Sequence, residues 1–259
     1  MISQCSEKSS PTQSLALGNE RVRILAVPIA RFTSDGCCKI HNSVLASSCW
    51  IHWQIHALVA FPHRSQYRLI EVALSIRIFV FILIGIMALA QLPAAQPLLA
   101  WQRAAIEQGE VWRLISGNLT HTNWPHMIMN SLGLAIITFI FRRYLSVERL
   151  ALLILAVAGF IGVTLWLSPM AWYAGLSGVL HGLFAWGAVQ DIKAKDKLGW
   201  VLLVGVSAKV IAEQISGGSA SSAELIGARV AVEAHLAGVL GGLLFVAVEH
   251  LKKWIAIDN

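Results

Sequence analysis

The sequence predicts an all-α membrane protein with six membrane-spanning helices, and three observations support that fold class. Hydrophobic residues make up 56% of the 259 residues and charged residues only 13%, whereas soluble domains contain about 25% charged residues. After Leu69, long apolar segments alternate with short polar loops. Basic residues cluster in alternate loops, as expected when those loops face the cytoplasm. The length suits one bundle of spans rather than several domains.

Each predicted span is bounded by the residues that interrupt its apolar segment. The first is ended by Pro93 and the third by Pro169, because proline cannot continue a helix. The second runs to a pair of arginines, the fifth follows three lysines, and the sixth ends before two more lysines. The fourth offers only about 16 residues, or ~24 Å, less than the ~30 Å of a bilayer core, so its N-terminus should begin below the membrane surface. The predicted ranges are 76–92, 126–144, 147–167, 177–192, 198–215 and 232–251.

Basic residues also predict the orientation of the spans. Six crossings place four basic groups on one side, which should be the cytoplasm, and both termini are then cytoplasmic. The opposite loops contain only Arg103, Arg113 and Arg229. The net charge of +6 reflects these loops, and without a basic stripe with interleaved aromatic residues no nucleic-acid partner is expected. The four groups are Arg64, Arg68 and Arg77; Arg142, Arg143 and Arg149; Lys193, Lys195 and Lys197; and Lys252 and Lys253.

Residues 1–68 differ from the rest of the chain. They begin with a polar, serine-rich stretch and lack the basic head and apolar core of a signal peptide. We therefore expect a poorly ordered N-terminal extension over residues 1–68, which is also compatible with translation beginning downstream of it, and a six-span domain over residues 69–259.

A metal site is the alternative interpretation of the extension. The spacing of His52 and His56 suits zinc, but the adjacent Cys37 and Cys38 are not the separated pair of a standard zinc site. We expect no metal and no cofactor. The candidate ligands are Cys37, Cys38, His41, Cys49, His52 and His56.

Four polar residues are predicted to lie at one depth of the membrane. The second, fourth and sixth spans all begin on the outer side. His126 and Asn130 lie at the start of the second, Ser177 at the start of the fourth and His235 near the start of the sixth. Residues far apart in the sequence therefore converge near the outer surface.

These residue types are those that acyl transfer requires. A serine hydroxyl becomes a nucleophile when a base removes its proton, and a neutral His235 can accept the proton of Ser177. Because Glu233 should face away from His235, we expect a Ser–His dyad without a third, acidic member. Asn130 and His126, one turn apart on one face, together with the backbone N–H of Ser177, can stabilise an oxyanion.

Less specific interpretations of the same residues remain open. A serine in a membrane helix often only bonds a carbonyl or a neighbouring helix, and intramembrane histidines also serve proton relays and metal sites. Two Gly-x-x-x-Gly pairs, Gly178 with Gly182 and Gly238 with Gly242, predict close helix packing. If the fourth and sixth spans meet along these faces, the packing itself brings the serine and the last histidine together.

Over about residues 70–251 the chain resembles the rhomboid intramembrane serine proteases. The resemblance rests on Trp112-Arg113, His126-x-x-x-Asn130, Gly175-x-Ser177-Gly178 and Ala234-His235-x-x-Gly238-x-x-x-Gly242. It implies a six-span bundle in which Ser177 is the nucleophile, His235 the base, and His126 and Asn130 the oxyanion donors. It also implies chemistry without metal or cofactor on membrane-spanning substrates in the lipid bilayer. The supporting positions are Gly175, Gly178, His181, Trp112, Arg113, Gly238 and Gly242.

The segment from Gly175 to Gly182 is similar to the serine motif of one rhomboid subfamily, the rhombosortases. Those are six-span proteins of Gram-negative bacteria associated with secreted proteins that carry a C-terminal Gly-Gly tail. The similarity implies single-span substrates with such tails, a bacterial inner-membrane location and an active site that faces the periplasm. His181 stands where many rhomboids have an aromatic residue, and we expect it to pack against or orient His235.

Two other functions compete with proteolysis. An inactive rhomboid-like protein that binds membrane clients would be marked by loss of the serine or the histidine, and both are present. A six-span transporter would use Lys209, Glu213 and the histidines as a relay, but the two halves of the chain show no convincing repeat of the kind transporters often have.

Overall fold

The structure, a computed structural model, describes residues 64–255, and all six predicted spans lie within them. The helices in this part of the chain are α1 (Arg64–Ala90), α2 (Gln96–Leu99), α3 (Arg103–Glu107), α4 (Arg113–Ser116), α5 (Trp124–Ile140), α6 (Val147–Trp166), α7 (Ser177–Lys193), α8 (Leu198–Ser216), α9 (Ala220–Ile226) and α10 (Val232–Ile255). The long helices end within a few residues of the predicted spans, except that α1 begins at Arg64. Residues 64–68, assigned to the extension, therefore belong to a helix, and the rest of the extension with its Cys and His residues lies outside the described range.

Three of the described helices are long and apolar enough to cross a membrane: α6, α8 and the Val232–Lys252 part of α10. Leu74–Ala90 and Trp124–Ile140 are shorter apolar helices, and α7 has 17 residues, or ~26 Å. The fold is thus mostly helical, as expected of a multi-pass membrane protein, and six crossings stay a prediction. The shortness predicted for the fourth span is found in α7.

Side-chain and glycine caps set one end each of α5 and α8. The side chain of Asn123 accepts a hydrogen bond from the backbone N–H of His126 at the start of α5, at 2.8 Å, which satisfies one of the free donors of the first turn. Gly217, with φ of +76°, ends α8, since glycine adopts this left-handed conformation without steric cost. Its N–H bonds the carbonyl of Glu213 at 2.8 Å.

Two short strands hold the loop that leads into α7. β1 (Trp101–Gln102) pairs antiparallel with β2 (Trp172–Tyr173), with Trp101 opposite Tyr173. The indole N–H of the fully buried Trp101 donates to the carbonyl of Gly162 in α6 at 3.2 Å. The strands, like the short helices between the long ones, were not predicted from the sequence, because segments of two to seven residues carry no hydrophobic period.

The side chain of Arg113 cross-links the loop between α1 and α5 through hydrogen bonds. Its guanidinium is buried and donates to the carbonyls of Pro97 and Ala100 at 2.8 and 2.7 Å, and to the carboxylate of Glu110 at 2.6 Å. Its neighbour Trp112 is half exposed and donates to the carbonyl of Leu98 at 3.2 Å. Both side chains therefore form hydrogen bonds within their own loop.

Helix α6 supplies the centre of the core. Large apolar side chains recur along one of its faces and are fully buried: Leu150, Leu153, Val157, Ile161 and Leu165. By contrast, Phe81 on α1 and Val201 on α8 are about 70% exposed. An apolar outer surface of this kind suits contact with lipid, since a helix in a bilayer does not have to hide its apolar side chains from water.

Helices α7 and α10 pack backbone to backbone. A Cβ atom on Gly178 would lie 2.7 Å from the carbonyl oxygen of Ala234, and one on Gly182 would lie 2.6 Å from that of Gly238. Added methyl groups on Gly238 and Gly242 would in turn collide with the carbonyls of Gly178 and Gly182. The close packing predicted from the two Gly-x-x-x-Gly pairs is confirmed, because no larger residue fits at these positions.

Candidate active site

Ser177 is the first residue of α7, and the loop before it is tightly held. Gly175 has φ of +139°, which favours glycine because a Cβ atom is strained there. A side chain at Gly175 would also collide with the ring of His126, 2.8 Å from its Cε1. The carbonyl of Gly175 accepts a hydrogen bond from the hydroxyl of buried Tyr173. The turn thus needs glycine for both its conformation and its neighbour.

The structure brings Ser177 and His235 into direct contact. The Nε2 atom of His235 lies 2.9 Å from Oγ of Ser177, a normal hydrogen-bond distance. His235 lies in the first turn of α10 and its side chain is buried, while Ser177 is partly accessible. The glycine contacts between α7 and α10 place the two residues side by side at the ends of their helices.

A third residue reaches the same imidazole. Oε2 of Glu213, near the end of α8, lies 2.8 Å from Nδ1 of His235. The expectation that no acidic residue accompanies the histidine is therefore wrong. Glu233 faces away as predicted, since it pairs with Arg229 at 3.1 Å, but the acid comes from another helix. The acid could have been found from the sequence, because Glu213 is a carboxylate in the last turn of the predicted fifth span, at the depth predicted for the site.

Lys209 and His181 complete the surroundings of this carboxylate. The ammonium of Lys209 lies 2.5 Å from the other oxygen of Glu213 and 3.1 Å from Nε2 of His181. The His181 ring stacks on the ring of His235, with centroids 4.2 Å apart and planes inclined by 22°. Its Nδ1 donates to the carbonyl of Ser177 at 2.7 Å. His181 therefore packs against the other histidine, as expected, and bonds the serine through its backbone carbonyl.

His126 and Asn130 lie beside Gly175, on the other side of the serine loop. The Nδ2 atom of Asn130 is buried and has no hydrogen-bond partner within the described part of the chain. From a Cβ atom built on Gly175, the distances are 3.8 Å to this Nδ2 and 3.0 Å to Nε2 of His126. The Nδ1 of His126 is bonded by the Thr122 hydroxyl at 3.0 Å. An unpaired buried donor costs free energy unless a ligand uses it.

His121, in the segment before α5, is a second buried histidine. The sequence left open that His121 and His126 are solvated loop residues, and both are buried. The His121 ring is fully buried and packs edge-on against His126, with centroids 5.0 Å apart. Burial and the neighbouring His126 lower the pKa of His121 to about 3. The ring is therefore neutral at physiological pH.

One cavity of about 370 Å³ joins these groups. It is lined by His126, Asn130, Ser177, His181, Glu213 and His235 among others. The other predicted supporting residues lie elsewhere: Gly178, Gly238 and Gly242 in the helix contact, and Trp112 and Arg113 in the loop between α1 and α5. The cavity thus combines a hydroxyl, an imidazole in contact with it, and an unpaired amide.

Three of the lining side chains also have the spacing of metal ligands. Ligand atoms of His181, Glu213 and His235 lie within 4.8 Å of one another. However, the ammonium of Lys209 already contacts Glu213 and His181. The chain itself supplies a cation at this cluster, so a metal ion would have to displace a charged side chain.

The family profile of the Rhomboid domain matches residues 108–252. The match includes every residue that lines the cavity, from Thr122 to His235. No curated protein sequence matches the chain significantly.

Proposed function

The chain belongs to the rhomboid family, whose members are generally intramembrane serine proteases, and we propose that it is an active intramembrane serine endopeptidase. Ser177 is the nucleophile and His235 the general base. The observation that carries the proposal is the 2.9 Å contact between Oγ of Ser177 and Nε2 of His235. A serine hydroxyl within hydrogen-bond distance of an imidazole is the arrangement that activates a serine nucleophile.

The proposed reaction proceeds in two acyl-transfer steps. As Oγ of Ser177 attacks the scissile carbonyl carbon, its proton passes to Nε2 of His235. The tetrahedral intermediate collapses when the C–N bond breaks and the same proton passes to the leaving amine. A water molecule then gives a proton to Nε2 of His235 as its oxygen attacks the acyl carbon. The ester C–O bond breaks, Oγ of Ser177 takes the proton back from His235, and the carboxylic acid product is released.

The oxyanion of the intermediate is bound on the Gly175 side of the serine. Asn130 offers the unpaired Nδ2 donor there. His126 offers Nε2–H when its Nδ1 accepts the bond from Thr122, since a neutral imidazole carries one proton. The backbone N–H of Ser177, at the N-terminus of α7, adds a third donor. Donors already in place cost no reorganisation during the reaction.

We propose the same membrane arrangement that the sequence predicts. The six long helices cross the membrane, both termini are cytoplasmic, and the cavity opens near the periplasmic surface of a bacterial inner membrane. The described residues belong to the catalytic domain, and residues 1–63 are dispensable for it. The substrates are single-span membrane proteins, and the similarity around Ser177 to rhombosortases favours those with a C-terminal Gly-Gly tail.

The two alternative functions fit the cavity less well. An inactive client-binding protein has no use for the contact between Ser177 and His235. The charged pair Lys209 and Glu213, on which the transporter alternative depends, contacts the two stacked histidines beside Ser177. No observation on the described residues favours either alternative.

Co-expression tests the proposal and its substrate class together. A secreted reporter with a C-terminal Gly-Gly tail, an apolar helix and a basic end would be expressed with the full-length protein or with Ser177→Ala. We expect a truncated reporter, with one new C-terminus by mass spectrometry, only with the unchanged protein. Cleavage of an unrelated single-span reporter but not of this one would remove the Gly-Gly class. Cleavage of neither would contradict the proposal of a protease.

A further inference from the structure

Five residues of three helices form a closed ring of hydrogen bonds around the proposed catalytic serine. Ser177 bonds His235, His235 bonds Glu213, Glu213 bonds Lys209, Lys209 bonds His181, and His181 bonds the carbonyl of Ser177. All five distances lie between 2.5 and 3.1 Å. Because a neutral imidazole has one donor and one acceptor nitrogen, the partner of one nitrogen fixes the role of the other.

The proton positions in the ring follow from its charged members. Lys209 can only donate, so Nε2 of His181 accepts from it and Nδ1–H of His181 donates to the Ser177 carbonyl. An ionised Glu213 can only accept, so Nδ1–H of His235 donates to it. The Nε2 atom of His235 is then left with its lone pair facing the serine hydroxyl. The carboxylate thus selects the one tautomer of His235 that can act as a base toward Ser177.

The simpler interpretation is that Lys209 and Glu213 form an ordinary i, i+4 pair on a helix surface, which contributes little to stability. Three observations argue against it. They are the only two charged residues of α8, an otherwise apolar helix, where charged side chains are costly. The Glu213 side chain is only 15% exposed, against 51% for Lys209. The carboxylate also divides its two oxygens, one to each neighbour.

The ring also attaches α8 to the other two helices. Few residues of α8 are buried: Gly199, Val206 and Val210. Polar contacts therefore matter for the position of its C-terminal part, and Gln214 adds one by donating to the carbonyl of Val232 at 2.8 Å. The position of Glu213 relative to His235 is thus held by Lys209 on one side and by the bond from Gln214 to α10 on the other.

We propose that Glu213 is a positioning residue for the serine protease reaction, the third member of a Ser177–His235–Glu213 triad, and that Lys209 orients its carboxylate. The inference rests on the proposed function. Before attack, Glu213 holds the tautomer of His235. After the Ser177 proton reaches Nε2, the carboxylate faces an imidazolium and stabilises its charge. Lys209 occupies one carboxylate oxygen, so that the other is directed at His235.

The isosteric variant Glu213→Gln tests the tautomer directly. Lys209 requires an acceptor, so the amide oxygen should face Lys209 and the amide N–H should face His235. This donor favours the tautomer whose Nε2 carries the proton, which cannot accept one from Ser177. We expect kcat, and the rate of labelling by a fluorophosphonate probe, to fall by ~10²–10⁴-fold, the scale for a triad in the wrong tautomer, with KM changed less than ~3-fold.

A double variant separates positioning from a structural role. In Lys209→Met/Glu213→Gln the amide is free to turn its oxygen to Nδ1–H of His235, so activity should recover at least ~5-fold over Glu213→Gln alone. A purely structural ion pair predicts a different pattern. The unpaired charge of Lys209 would lower the melting temperature of Glu213→Gln, while its rate of labelling per folded molecule would stay that of the unchanged protein. Glu233→Gln, which changes a carboxylate two residues from His235 but outside the cavity, is the matched control and should keep the activity of the unchanged protein.

The outcomes distinguish this inference from the proposed function. Labelling of the unchanged protein together with equal labelling of folded Glu213→Gln would overturn the triad alone, as would a double variant slower than the single one. If the unchanged protein is not labelled at Ser177, the proposed function fails and the triad with it. If Glu213→Gln is not recovered folded, Lys209→Met/Glu213→Ala, which leaves no unpaired charge, gives the same readout: unchanged labelling overturns the inference.

Discussion

A methyl group on Gly182 would lie 2.6 Å from the carbonyl oxygen of Gly238. This distance shows that α7 and α10 touch through their backbones, one turn beyond Ser177 and His235 in each helix. The separation of the serine and the histidine is therefore a consequence of glycine packing, and the chemistry of the cavity should respond to changes that touch neither residue.

Ser177 should be the site of covalent labelling. Its hydroxyl is in contact with His235 and partly accessible from the cavity, so a fluorophosphonate probe should label the detergent-solubilised protein. Ser177→Ala should abolish both labelling and substrate processing. Ser168→Ala, which changes a serine outside the cavity, is the control and should be labelled normally. Labelling that persists in Ser177→Ala would place the nucleophile elsewhere.

Substitutions of the two histidines in the closed ring of hydrogen bonds should differ in their effect on activity. His235→Ala removes the base and should leave almost no activity. His181→Gln, which alters the residue stacked on His235 without removing the base, should cost less. An inactive His181→Gln combined with an active His235→Ala would reverse our assignment of the base.

Asn130 should contribute to the transition state rather than to folding. Its Nδ2 atom has no partner within the described residues, so Asn130→Ala removes no hydrogen bond made by that donor. We expect kcat to fall by ~10²-fold, the scale for one oxyanion donor, while the melting temperature stays within a few degrees. An unchanged kcat, measured on a cleavable reporter, would remove Asn130 from the oxyanion site.

The glycine contact predicts a stability effect with an internal control. Gly238→Ala places a methyl group against the carbonyl of Gly178, so α7 and α10 must separate. Overpacking of this kind costs ~1–3 kcal/mol and should also slow labelling of Ser177. Gly159→Ala on α6 meets nothing within 4 Å and should be neutral or slightly stabilising. Thermal unfolding in detergent compares the two variants, and equal effects would contradict the packing argument.

His121 predicts a loss of stability in mild acid. The pKa of His121 is lowered from 6.5 to about 3 by burial and by His126, so protonation favours the unfolded chain. The stability that the neutral ring contributes is fully present above pH 6.5 and is lost as the pH falls toward 3. At pH 4.5 the free energy of unfolding is therefore lower than at pH 7 by about 3 kcal/mol, at ~1.4 kcal/mol per pKa unit. His121→Phe should therefore flatten the decline of melting temperature between pH 7 and pH 4.5, and an unchanged slope would contradict it.

The membrane orientation can be measured with reporter fusions. The basic groups predict cytoplasmic termini, so alkaline phosphatase fused after Asn259 should be inactive and phosphatase fused after Ser168 should be active. The reverse pattern would put the cavity at the cytoplasmic face and exclude secreted substrates.

The position of each polar residue along its helix could be predicted from the sequence. Apolar length, prolines and basic loops define where a span begins and ends, and a helix rises a fixed ~1.5 Å per residue, so depth follows from residue number. Ser177 and His235 are therefore predicted near the start of their spans, and the glycines on the same two helices predict the contact between them. A local pattern is sufficient because both residues lie in motifs whose spacing is local.

The neighbours that each helix face meets were decided only by the tertiary structure. The depth predicted for Glu213 matches that predicted for Ser177 and His235, but depth does not specify rotation about the helix axis or the order of the helices around the bundle. Only the packing of α8 against α7 and α10 turns Glu213 toward Nδ1 of His235 and Lys209 toward His181. Helix rotation and neighbour order depend on side-chain packing across the whole bundle, and no local pattern in α8 encodes them.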